Sequence, residues 1–189
     1  MNLTKEKRVM LHAARQAGKL LLKYYGKNEK VKEKSNKSLV SKADLEANKS
    51  IIRIIKKNFP KHSILSEEMP FLDNKSNFKW VIDPLDGTHN FLHGIHLFGT
   101  SIALEYKEEI VLGVLHFPLL KMTAFAEKGK GAFLNGKRIK VSNRKNLVHS
   151  FIAFEYAYTN RKEKIGFLEK FIHKPIDLRN FGSAIYDLL

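Results

Sequence analysis

The chain has 189 residues, 43% hydrophobic and 28% charged, enough apolar material for the core of one large domain or one and a half small ones. Cysteine is absent, which excludes disulfides and thiolate metal centres and fits a reducing, cytoplasmic setting. No run approaches the ~18 apolar residues of a membrane span, and the charged residues 1–8 carry no apolar signal core. Lysine and arginine outnumber acidic residues 34 to 19, a net charge of +15. The lysines are scattered and not interleaved with aromatics, so the excess reads as a solvated basic surface and not as a nucleic-acid face.

Thr4 is expected to cap a first helix running to about Tyr25, with Met10, Ala13, Ala14, Ala17, Leu21 and Tyr24 on one face and Gly26 as its stop. Residues 27–38 are polar and lysine-rich and read as a loop. Ser41 or Asp44 starts a second helix, with Ala47, Ile51 and Ile55 as its buried stripe and Pro60 closing it after Phe59. Asp44 suits the first turn electrostatically, since a carboxylate there favours the helix dipole. Residues 63–66 form a short strand, and Glu67-Glu68 leaves its end. Adjacent glutamates are ordinarily just solvated.

The central stretch runs from Lys79 to Phe91. Trp80-Val81-Ile82 suits a buried strand, and Pro84, with no N–H to donate, is expected to end regular pairing. Asp83 and Asp86 flank that break. Gly87 permits a tight turn or a close backbone approach. Carboxylates at a strand end suit hard cations, and N–H groups that open a helix after the turn suit a phosphate. Taken singly, Asp-Pro and Asp-Gly are also ordinary turn dipeptides. Further strands are expected over 98–106, 110–117 and 122–127, with Asn135-Gly136 as a hairpin turn. This pattern predicts an α/β fold, with helices packed on a largely antiparallel sheet. Beyond it, a strand over 151–154, a helix over 161–172, a strand over 176–178 and a helix opened by Gly182-Ser183-Ala184 are expected. His89, His93, His96 and His116 match no tetrahedral zinc spacing and read as surface or partly buried histidines.

The full string Asp83-Pro84-Leu85-Asp86-Gly87-Thr88-His89-Asn90-Phe91 resembles the signature of the inositol monophosphatase family, magnesium-dependent and lithium-sensitive sugar-phosphate phosphatases. The resemblance extends upstream to Leu65-Ser66-Glu67-Glu68 and on through residues 129–136 to residues 179–184, with bacterial members looking most similar. It implies the layered sugar-phosphatase fold and two or three Mg²⁺ ions held by Glu67, Asp83, the Leu85 carbonyl and Asp86. Thr88 and Glu67 would position the attacking water, which Asp44 helps orient. The N–H groups of Gly87 and Thr88 would hold the phosphate, and Gly182-Ser183-Ala184 would contact the sugar or its phosphate. A Gly-Ser helix start explains that last segment equally well. Ser66 and Met69 depart from the commonest family residues without removing an implied ligand, and His89 takes the place where the family commonly has a second Thr.

The activity implied is hydrolysis of inositol monophosphate or a related sugar phosphate, with fructose bisphosphate and adenosine 3′,5′-bisphosphate open as substrates. A homodimer is implied as well. Some bacterial relatives act in ribosomal RNA transcription, so a non-catalytic role as a partner of the transcription machinery is the alternative. The family's Trp-Asp-x-Ala-Ala-Gly motif, whose aspartate adds a metal ligand, is expected to be missing, because no Trp follows Trp80. Residues 1–146 are therefore expected to be a metal- and phosphate-binding domain, and residues 147–189 the start of a truncated second domain. The chain is expected to be a poor enzyme that associates through Ile185, Leu188 and Leu189, and a decayed or split gene product fits the same observation.

Overall fold

Both N-terminal helices form where their apolar stripes predict. The computed structural model describes residues 2–27, 31–33, 39–154, 161–170, 172–174 and 177–189. In it α1 spans Thr4–Tyr24 and α2 spans Lys42–Asn58. The cap of α1 differs from expectation. Thr4 is the first helical residue, and Asn2 Oδ1 accepts from its N–H at 3.1 Å and its hydroxyl at 2.7 Å. At α2 both candidate starts contribute. Ser41 is the N-cap, and Asp44 completes a capping box with it. The expected loop over 27–38 contains a short strand, β1 (Val31–Glu33), antiparallel to β2 (Leu39–Ser41), and its other residues after Lys27 lie outside the described ones.

Eight strands form the main sheet: β3 (Ser63–Ser66), β4 (Met69–Leu72), β5 (Phe78–Asp86), β6 (Gly99–Tyr106), β7 (Glu109–Phe117), β8 (Met122–Glu127), β9 (Gly131–Leu134) and β10 (Lys137–Ile139). Their spatial order is β10-β9-β8-β7-β6-β5-β3-β4. Every neighbouring pair is antiparallel except β3 with β5. The Asn135-Gly136 turn joins β9 to β10 with φ of 48° and 81°, as a two-residue hairpin with positive φ requires. β4 was not legible in the sequence. Its residues Pro70 and Phe71 are exposed, so it has no buried alternate face to mark it.

Helices α1 and α2 pack on each other and on one face of this sheet. Ala13, Ala14 and Ala17 of α1 and Ala43 and Ala47 of α2 are fully buried. Small residues there let backbones approach closely while Met10, Leu21, Ile51 and Ile55 fill the space between. From the sheet, Trp80, Ile82, Ile102, Leu104, Leu112 and Val114 point into the same core at every second position.

The C-terminal residues contribute β11 (Phe151–Ala153), α4 (Arg161–Glu169), β12 (Asp177–Arg179) and α5 (Ala184–Asp187). β11 and β12 pair parallel in a sheet of their own. β11 and α4 are shorter than the sequence predicts, β12 has the expected three residues but ends at Arg179 instead of Leu178, and Ile176 of the expected strand lies outside the described residues. Of the three C-terminal apolar residues, Ile185 is buried at 6% exposure and Leu188 is 79% exposed. No helix among the described residues is long and apolar enough to cross a membrane.

Candidate active site

Pro84 does not end β5. The strand continues to Asp86, and the missing N–H is absorbed in a bulge. Asp83 pairs with Ser101 and Asp86 with Gly99, so β5 carries one extra residue over that interval. Thr100, fully buried opposite the bulge, donates its hydroxyl to the Pro84 carbonyl at 2.9 Å and pins the distortion. The bulge turns Asp83 and Asp86 out of the alternation that would send them to opposite faces or into the ladder. Leu85 between them is buried, and its N–H donates to Asp83 Oδ1 at 3.1 Å.

Gly87 then turns the chain with φ 78° and ψ 36°. A Cβ there would stand 2.7 Å from the Leu97 carbonyl oxygen, so both the backbone angle and the space demand glycine. Helix α3 (Thr88–Leu92) starts immediately afterwards. The Thr88 hydroxyl donates to the Leu85 carbonyl at 3.1 Å and lies 3.5 Å from Asp44 Oδ1. The other oxygen of Asp44 accepts from the Ser41 N–H at 2.9 Å and from the Ser41 hydroxyl at 2.5 Å. Asp44 therefore caps α2 with one oxygen and faces the β5–α3 turn with the other.

Electrostatics at the turn are strongly one-signed. The Asp83 carboxyl is pushed up to about 8, first by burial, then by Glu67 and Asp86, with Asp44 adding to it. Asp44 is raised to about 6, chiefly by burial and further by Glu68, against the lowering effect of its Ser41 bonds. Asp86 is raised by burial, while hydrogen bonds from the Ser183 hydroxyl and the N–H groups of Ile185 and Ala184 pull it back down. Glu67 leaves the end of β3 exposed, its N–H donating to the Ile82 carbonyl at 3.2 Å.

The structure thus brings Asp44, Glu67, Asp83, Leu85, Asp86, Gly87 and Thr88 to one end of the sheet, and Gly182-Ser183-Ala184 joins them. Ser183 is buried at 1% exposure, and its hydroxyl is directed at Asp86. Asp86 takes over the capping of α5 that Ser183 would otherwise provide, since Ser183 makes no side-chain cap bond to that helix.

Among the described residues, no three acidic, histidine or cysteine side chains converge closely enough to hold an ion alone. The donor set still suits Mg²⁺. It is oxygen-only, it combines carboxylates with a carbonyl, and Mg²⁺ keeps several waters and needs one or two protein carboxylates. Burial first, and then repulsion from Glu67 and Asp86, disfavour the charged form of Asp83, a cost that a divalent cation would offset.

The inositol monophosphatase family model matches residues 2–189. The chain belongs to the inositol monophosphatase family. Three members illustrate the likeness. A fructose-1,6-bisphosphatase/inositol-1-monophosphatase of Aquifex aeolicus is 34% identical over 99% of this chain and 73% of that protein. The Nus factor SuhB of Pseudomonas aeruginosa is 33% identical over 95% of this chain and 70% of its own length. The crystal structure of extragenic suppressor protein SuhB from Bartonella henselae superposes with a TM-score of 0.94 at 37% identity, covering 98% of this chain and 73% of that one. The mixed α/β architecture with a mainly antiparallel sheet is the one expected from the sequence.

Three residues of this family member's site escaped the sequence reading. Asn90, buried at 6% exposure, donates from Nδ2 to the carbonyls of Leu97 and Phe181, both at 2.7 Å, and of Gly182 at 3.2 Å. It ties α3 to the segment that holds Asp86. Its place inside the signature string was the available signal. Asn48 accepts from the Ser66 hydroxyl at 2.7 Å and anchors the end of β3, next to Glu67, on α2. Thr100 and Asn48 carry no local signal, because each acts on a partner in another element.

Proposed function

We propose that the chain handles phosphate esters as a Mg²⁺-dependent phosphomonoesterase, with inositol monophosphate or a related sugar phosphate as substrate and lithium as an inhibitor. The observation that carries this reading is the crowding of the Glu67, Asp83 and Asp86 carboxyl groups at the β5 bulge, directly before the Gly87–Thr88 turn, where burial and mutual repulsion raise Asp83. Glu67, Asp83, Asp86 and the Leu85 carbonyl are the residues that would hold the ions. Bound Mg²⁺ would offset the ester's charge, polarise its phosphoryl oxygens and lower the pKa of a water.

The chain's own groups divide the remaining work. Glu67 accepts the proton of the attacking water. The Thr88 hydroxyl, 3.1 Å from the Leu85 carbonyl, orients that water, and Asp44 behind it restricts the hydroxyl's rotation. The N–H groups of Gly87 and Thr88 hold the phosphate. Gly182, Ser183 and Ala184 border the sugar, with Ser183 keeping Asp86 in place. In this reading residues 1–146 form the metal- and phosphate-binding unit and residues 147–189 begin a second one. Work in the cytoplasm as a homodimer fits the same family.

The name of the Aquifex relative keeps fructose 1,6-bisphosphate in the substrate range. The name of the Pseudomonas relative favours a second reading, participation in a transcription complex without need of turnover. One experiment separates them. Phosphate release from inositol 1-phosphate and fructose 1,6-bisphosphate is measured with Mg²⁺ for the parent, Asp83→Asn and Glu67→Gln, beside complementation in cells. A fall of about 100-fold or more in both variants, with loss of complementation, is expected. Hydrolysis unchanged in Asp83→Asn would sink the metal assignment, and lost turnover with intact complementation would favour the transcription role.

A further inference from the structure

A cleft opens between α1 and the sheet on the side that the helices cover. Val114, Phe125, Phe133 and Arg138 are cross-strand partners in turn across β7, β8, β9 and β10, so their side chains share one face. Val114 and Phe125 belong to the core, whereas Phe133 is half-buried and Arg138 exposed, so the row runs out from under α1. Lys7, Leu11 and Arg15 follow four residues apart on one face of α1 and line the cleft from the helix side. Thr123, Asn135 and Gly136 complete the lining, and the volume is about 540 Å³, within the range of small-molecule sites. The turn is fixed in advance. Asn135 Oδ1 accepts from the Thr123 N–H at 2.9 Å, and its Nδ2 donates to the Lys121 carbonyl at 3.1 Å.

We propose that this cleft binds a small organic anion, an aromatic ring bearing a phosphate-type dianion. The lining carries two cations and no acidic side chain. Lys7 Nζ stands 4.2 Å from the Phe125 ring centroid, and the Arg138 guanidinium 5.8 Å from that of Phe133. Among the described residues Lys7, Arg15 and Arg138 form no ion pair. Their charge is therefore free for a ligand. An ammonium supplies a point charge and a guanidinium a planar fork, and both suit phosphate oxygens. The half-buried Phe133 offers a ring for an aromatic body to pack on, at the usual centroid separation of about 4.5–7 Å. The preset Asn135 turn lowers the ordering cost of binding. The chemistry is the reverse of the β5 bulge, where crowded carboxyl groups suit a cation, and the two sites share no residue. A ligand in the cleft ties α1 to the strands beyond its edge.

The test is calorimetric titration of the chain with phenylphosphonate, a dianion on a single ring, in EDTA so that no metal-held phosphonate at the β5 bulge contributes. Expected are about one phenylphosphonate per chain, binding weakened about tenfold or more in Lys7→Ala/Arg15→Ala, weaker binding in Phe133→Ala, and unchanged binding in Asp83→Asn. Inorganic phosphate, which lacks the ring, should bind more weakly. Circular dichroism checks that each variant folds. Should a variant not fold, amide NMR signals of the parent decide, because the ligand must shift those of Leu11, Thr123 and Gly136. No binding by the parent, equal binding by parent and double variant or by parent and Phe133→Ala, inorganic phosphate binding as tightly, binding lost in Asp83→Asn, or unmoved Leu11, Thr123 and Gly136 signals would each overturn the proposal.

Discussion

Asp44 meets two demands with two oxygens. One completes the capping box of α2 with Ser41, and the other lies 3.5 Å from the Thr88 hydroxyl. The two sequence readings of this residue are therefore compatible. Thr88 stands at the centre of the arrangement, donating to the carbonyl of the residue proposed as a neutral metal ligand. Thr88→Ala is expected to lower kcat by on the order of 10²-fold with a smaller change in KM, and Thr88→Ser to recover part of the loss, because the hydroxyl is proposed to act on the nucleophile during attack. Steady-state kinetics with inositol 1-phosphate checks this. A change confined to KM would place Thr88 in substrate binding.

Between elements, the site is closed by a contact spanning most of the chain. Asn90 of α3 holds the Phe181 and Gly182 carbonyls, and Asp86 at the end of β5 accepts from Ser183 and from the first N–H groups of α5. Gly182 makes this possible. Its φ is +65°, and a Cβ there would come within 2.9 Å of Asn90 Oδ1. Gly182→Ala should cost about 1–2 kcal/mol for the left-handed backbone alone, with the crowding against Asn90 added. It should therefore lower Tm in thermal denaturation and weaken Mg²⁺ binding in calorimetry through displacement of Asp86. A Tm equal to the parent's would mean that the segment relaxes freely and does not brace Asp86.

For the whole molecule, half-buried imidazoles set an acid limit. His62 stacks between Phe59 and Phe78, with centroids 4.7 Å away on each side, and its Nδ1 accepts from Trp80 Nε1 at 3.1 Å. An accepting Nδ1 favours the neutral ring. Burial lowers the pKa of His62, Lys5 lowers it further, and Glu6 opposes them. His116 is lowered likewise, first by burial and then by Arg15. The unfolded chain takes up these protons below about pH 6.5, before the folded one does. Stability from His62 is thus fully present above about pH 6.5 and lost as pH falls through the lower folded value. His62→Gln removes this titration, so the parent's Tm advantage over the variant should shrink between about pH 7.5 and 5.5. A constant difference would show that His62 titrates alike in both states.

Short-range pattern alone determined much of this protein. The Ala and Ile stripes marked α1 and α2, Ser41 and Asp44 marked a helix start, alternation marked β6 to β8, and Asn135-Gly136 marked a hairpin. The signature string from Asp83 to Phe91 marked the candidate site and pointed to the family. Each of these signals acts over a few residues, where backbone geometry repeats and side chains declare which face is buried. Only the tertiary structure decided that β5 runs on past Pro84, because the bulge depends on Thr100 in the neighbouring strand. It also decided that Asp86 caps α5, that Asn90 grips residues 181 and 182, and that Ser66 leans on Asn48. These bonds join residues 18 to 97 positions apart for the side-chain pairs Ser66–Asn48 and Ser183–Asp86, and a hydrogen bond across that separation leaves no periodic trace in the sequence. It exists only once the core of α1, α2 and the sheet has brought its partners together.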